Sequence, residues 1–168
     1  MNKERTKEIV MLGLLVAFHV ILSRWLSINA WNIKIGFAFL AVYIGAYFYG
    51  PIGGAVVGGL GDILGALLFP IGAYFPGFTL NCALTGVIFG LLLGKKQTNL
   101  KIGVAVILNE LGISLWITPL WLSILYGSPY WPLIVSRLPQ IIIMLIVEVV
   151  TIYFMGKVLG RISKNISE

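Results

Sequence analysis

The sequence predicts an all-α integral membrane protein, a six-transmembrane-helix bundle in one domain spanning residues 1–168, with both termini cytoplasmic. Three observations carry this. First, 59% of the residues are hydrophobic and 11% charged, against roughly 25% charged in soluble domains. Second, the apolar residues fall into six stretches near the length a spanning helix needs, about 20 residues. Third, the basic residues cluster where a six-span topology puts them on one side.

The first stretch, 9–26, follows a charged start, as a signal peptide would. It is long and ends in Ser23-Arg24-Trp25 without a small-residue cleavage pattern, so it reads as a retained helix. The second, 35–49, is short and closes at Gly50-Pro51. It spans if the bilayer thins, or if Ile33 and Lys34 join it with Lys34 snorkelling outward. The third runs over 52–69 and stops at Pro70. The fourth is 78–93, the fifth 102–125 and the sixth 131–158. Thr118-Pro119 predicts a kink near the end of the fifth.

Nine of the twelve Lys and Arg residues form three clusters: Lys3, Arg5, Lys7; Lys95, Lys96, Lys101; and Lys157, Arg161, Lys164. Six spans place all nine on one side, which the positive-inside rule makes cytoplasmic. The net charge of +6 is thereby a topology signal and calls for no nucleic acid.

Twenty glycines suit close helix packing. Gly54 and Gly58, Gly61 and Gly65, and the series Gly86, Gly90, Gly94 form small-residue ridges that read as internal packing. Gly13 and Ala17 form another on the first helix, open either to the bundle or to a partner subunit.

Charges inside a membrane are costly and point to function by default. Arg24, Lys34 and Arg137 break the positive-inside pattern and lie toward the outer surface. They suit capture of an anionic solute, since Arg reads carboxylates bidentately; the competing account is snorkelling. Asp62, Glu110 and Glu148 lie within spans, where a central Asp costs roughly 2.5–3.5 kcal/mol. Asp62, among glycines, reads as structural. Asn109 and Glu110, with Ser114 and Trp116 one or two turns outward, make a plausible site for a flat heterocycle. Asn81 and Thr85 share a helix face and either line that cavity or tie helices together. The loop from Pro70 to Pro76 is short and aromatic, fit to cap a pocket. Trp31, Tyr130 and Trp131 sit at predicted outer edges, as an aromatic belt would.

Several chemistries drop out. His19 and Cys82 have no ligand-spaced companions, so no metal site is expected. Gly90 to Lys96 falls short of a phosphate-binding loop and lacks its Ser or Thr. No cofactor is expected in this chain, and any ATP is used by other subunits. No catalytic pair is visible, so the chain does not read as an enzyme.

The run Gly50-Pro51-Ile52-Gly53-Gly54-Ala55 to Gly61-Asp62, then Pro70, Gly72 and Tyr74-Phe75-Pro76-Gly77-Phe78-Thr79-Leu80, resembles the folate-specific S component of energy-coupling-factor (ECF) transporters. The motif match covers about residues 36–94, and size and topology fit over the whole chain. The resemblance implies a substrate-binding transport subunit in a prokaryotic cell membrane. It would capture folate or reduced folates outside and dock on a shared transmembrane subunit carrying two cytosolic ATPases. It implies that Gly13 and Ala17 contact that shared subunit. Under it, Phe75 and Trp116 stack on the ligand's rings, and Thr79, in the same motif, also contacts the ligand. Asn81, Asn109 or Glu110 pair with the pterin edge, and Arg24, Arg137 and Lys34 hold the glutamate tail. An S component for another vitamin such as riboflavin, and a non-transport membrane scaffold, are the alternatives.

Overall fold

The computed structural model describes residues 3–29, 32–94 and 97–167, with side chains to Arg161. Trp31, Lys95 and Lys96 lie outside the described residues, as does the side chain of Lys164.

The fold is helical apart from one small hairpin. Helix α1 covers Lys3–Arg24, followed by strands β1 (Ser27–Asn29) and β2 (Lys34–Gly36). Helix α2 covers Ala38–Leu68 and α3 Pro76–Leu92. Then come α4 (Asn99–Ile107), a π-helix (Leu108–Ile117), α5 (Thr118–Tyr126) and α6 (Tyr130–Ser167). Among the described residues, four helical runs are long and apolar enough to cross a membrane: Lys3–Arg24, Ala38–Leu68, Asn99–Tyr126 and Tyr130–Arg161. Pro76–Leu92 is a shorter apolar helix.

The second and third predicted stretches are the two limbs of α2. Gly50 breaks the run with φ 69° and ψ −162°, and Pro51 follows inside the helix. Only glycine enters that region freely, and proline cannot donate to the turn before it. The bend folds the limbs together: a β-carbon on Gly45 would lie 2.8 Å from Val57.

Glycines then let α3 pack backbone to backbone on the second limb. A β-carbon on Gly86 would come within 2.2 Å of the Gly54 carbonyl carbon, and one on Gly58 within 2.3 Å of the Cys82 carbonyl oxygen. A β-carbon on Gly90 would meet the Pro51 α-carbon at 2.3 Å. The core gathers around Tyr43, Val57, Phe89, Leu93, Val106 and Ile152. By contrast Gly13 has open space around it, and Gly13 and Ala17 are exposed on the outer face of α1.

Two expectations need correction. Ile33 and Lys34 do not extend α2. Lys34 pairs with Asn29 in the hairpin, whose register is Ser27↔Gly36 and Ile28↔Ile35. The chain pairs closely there because Gly36 lacks a side chain; a β-carbon would lie 2.5 Å from that of Ser27. The fifth stretch does not simply kink at Pro119. It shifts to π-helical bonding before it, with the Thr118 N–H donating to the Ile113 carbonyl five residues back.

Candidate ligand-binding site

One cavity of about 620 Å³ lies between the helices, bounded by the hairpin and the α2–α3 loop. Its lining is polarised.

At one pole sit Asn109, Glu110 and Glu148, all buried. The Asn109 side-chain amide donates to both Glu148 oxygens at 3.0 and 3.1 Å and to Glu110 Oε1 at 3.3 Å. Its own carbonyl accepts from Thr85 Oγ1 at 2.7 Å. One amide therefore holds two carboxyls side by side. Glu110 Oε2 is buried with no hydrogen-bond partner among the described residues.

The π-helix aims this pole. In π bonding the Ser114 carbonyl would pair five residues on, with the nitrogen of Pro119, which carries no hydrogen. That carbonyl is free, and Arg137 Nε donates to it at 3.2 Å. Arg137 Nη2 reaches Ser114 Oγ at 3.3 Å and Nη1 donates to the Asn32 carbonyl. Asn32 Nδ2 donates to Ser136 Oγ at 2.7 Å, and the Lys34 N–H donates to Gln140 Oε1 at 3.2 Å. Helix α6 thus fastens the hairpin over the cavity.

At the other pole are Arg24, Lys34 and His19, with Asp62. Thr79 Oγ1 donates to Asp62 Oδ2 at 2.8 Å and lies 3.2 Å from the Tyr74 hydroxyl, which ties the α2–α3 loop to this pole. Lys34 is open to solvent through the cavity mouth. The surrounding protein thins that solvent and lowers its pKa from the ordinary lysine value. Phe75 and Phe78 line the wall between, with their rings 6.0 Å apart.

Of the residues singled out from sequence, the cavity brings together Arg24, Lys34, Phe75, Asn81, Asn109, Glu110 and Arg137. Thr79 and Trp116 lie outside its lining. Thr79 instead holds Asp62, and Trp116 is 49% exposed and packs against Trp131 at 6.5 Å. Asn81 is largely used by the protein: it accepts from Trp121 Nε1 at 3.0 Å and donates to Thr118 Oγ1 at 3.0 Å. Sequence reasoning missed His19, Phe78 and Gln140 as lining residues. His19 and Gln140 carried a signal, being polar residues inside apolar runs.

Comparison with known proteins agrees with this architecture. The family model for the substrate-specific component of ECF transporters matches residues 7–161. The chain belongs to this family. It is 32% identical over 160 residues to the folate transporter FolT of Clostridium novyi (strain NT), covering 95% of this chain and 93% of that one. It is 29% identical to the folate transporter FolT of Leuconostoc mesenteroides, over 96% of this chain and 91% of that one. Among solved structures, FolT bound with folic acid superposes with a TM-score of 0.86 at 35% identity, covering 90% and 93% of the two chains. The S component for biotin from an ECF-type transporter shares the fold at a TM-score of 0.68 and 19% identity, over 94% of each chain. As a substrate-specific transport component, the chain is not an enzyme, which also removes the scaffold alternative.

Proposed function

We propose that this chain is the folate-binding S component of an ECF importer. It captures folate or reduced folates from outside and passes them inward when docked on an ATP-driven module. The observation that carries the reading is the cavity's polarity. Folate has a flat pterin with N–H donors at one end and a glutamate tail with two carboxylates at the other. The acid–amide pole offers acceptors, above all Glu110 Oε2, which has no hydrogen-bond partner among the described residues. The opposite pole offers Arg24 and Lys34. Phe75 and Phe78 line the wall between, where the rings would lie. The likeness to the folate transporters and to FolT bound with folic acid supports the same ligand.

In this reading Arg24 and Lys34 hold the tail. Arg137, whose donors go to Ser114 and Asn32, positions the hairpin and balances Glu110 rather than gripping a carboxylate. Counting the limbs of α2 on either side of Gly50 separately, and α3 as a short span, gives six crossings. Both termini are then cytoplasmic in a multi-pass protein of the prokaryotic cell membrane. The exposed Gly13–Ala17 face of α1 docks on the shared transmembrane subunit, which carries two cytosolic ATPases. Trp116, on the outside of the bundle, has no ligand role.

Equilibrium titration of the chain purified alone in detergent tests this. Folate is expected to bind tightly and saturably, with riboflavin and thiamine failing to compete at equal concentration. A well-folded sample that binds riboflavin or thiamine in preference, or no vitamin, contradicts it.

A further inference from the structure

His19 is the chain's one histidine, and the reading above gives it no task. It is 3% exposed, on α1, and lines the cavity. Its ring is seated on Gly61, where a β-carbon would lie 2.4 Å from Nδ1. Arg24 is seated in the same way on Gly65, where a β-carbon would lie 2.8 Å from Nε. Gly61 and Gly65 are one helical turn apart. This small-residue ridge of α2 therefore makes room for two nitrogen-bearing side chains rather than for a helix backbone.

The Gly61 carbonyl lies close to the His19 ring, yet neither seat gives a hydrogen bond of good geometry. His19 Nδ1 and Arg24 Nε are both buried without a hydrogen-bond partner among the described residues. Buried polar groups are nearly always satisfied, and each exception asks for an explanation. Two exceptions side by side on one cavity wall are explained by a ligand that engages the rest of each group. With Nδ1 packed on Gly61, the Nε2 edge of His19 is left to the cavity. Lys34 and Arg24 are within electrostatic reach of the ring. Asp62, the acid at this pole, is already engaged by Thr79.

We propose that His19 is a ligand-contacting residue of the cationic pole, its Nε2 N–H donating to a carboxylate of the bound molecule's tail beside Arg24 and Lys34. This rests on the folate reading. A side chain that only filled the space over Gly61 would serve every ligand alike, whereas a tail contact discriminates between ligands.

Diethyl pyrocarbonate acylates histidine, and with one histidine in the chain the adduct is unambiguous, provided the purification tag contains none. Detergent-purified wild type should be modified when empty, protected by saturating folate, and left unprotected by a pterin that lacks the benzoyl-glutamate tail. His19→Ala should lower folate affinity about tenfold or more, the scale of one hydrogen bond to a charged group, with the tail-less pterin unchanged. His19→Gln, which returns an N–H donor, should recover most of the loss. The inference is overturned if the empty protein is not modified, if folate gives no protection, or if His19→Ala weakens both ligands equally. Wild type that binds no folate would overturn the folate reading, and this inference with it.

Discussion

At the scale of the residue, the acid–amide pole and Arg137 show how the sequence sets chemistry. The membrane makes each intramembrane charge expensive, so Glu110, Arg137 and Glu148 stand out in the sequence by their apolar surroundings alone. What they do depends on neighbours the sequence does not display. A lone outer arginine suggests a grip on a carboxylate tail, yet the nitrogens of Arg137 are taken by Ser114 and Asn32. Arg137→Ala is therefore expected to weaken folate and a tail-less pterin by the same factor. It should also cost on the order of 2–5 kcal/mol of stability, since it strips donors from buried acceptors and leaves Glu110 without a nearby cation. Ligand titration with a thermal melt checks both. Loss confined to folate would return the tail to Arg137.

At the scale of the element, apolar stretches and their punctuation were legible. Gly50-Pro51 and Pro70 each mark a real break, and Pro119 marks the change from π- to α-helical bonding within one continuous run. Their geometry was not. Residues seven apart share a face of an α-helix, which set Trp116 beside Asn109. The π-helix widens the turn, so Thr118 comes round to the cavity and Trp116 is carried outward. The hairpin was hidden because two three-residue strands give too short an alternation to register against the helical runs beside them. Gly50 offers a clean test of what glycine contributes here. A β-carbon on it would meet nothing within 4 Å, so Gly50→Ala acts through backbone conformation alone. It should cost about 1–3 kcal/mol, read as a lower melting temperature in detergent. An unchanged melt would mean that the bend relaxes without that conformation.

At the scale of the whole molecule, the glycine seam between α2 and α3 builds a compact wall on one side. The π-helix, α5 and α6 supply the wall on the other, with the acid–amide cluster on the π-helix and α6. The hairpin and the α2–α3 loop bound the space between them, fastened by Asn32 and Lys34 on α6 and by Tyr74 and Thr79 at Asp62. The result is a cavity with an acid–amide cluster at one pole and the cations Arg24 and Lys34 at the other, matched to a solute that carries donors at one end and carboxylates at the other. One measurement tests that match most directly: the ratio of folate affinity to tail-less pterin affinity in wild type, Arg24→Ala and Glu110→Gln. Arg24→Ala should reduce the ratio by lowering folate binding alone. Glu110→Gln should lower both affinities and leave the ratio close to wild type. A ratio unchanged by Arg24→Ala, or reduced by Glu110→Gln, would contradict the assignment of tail and pterin to the two poles.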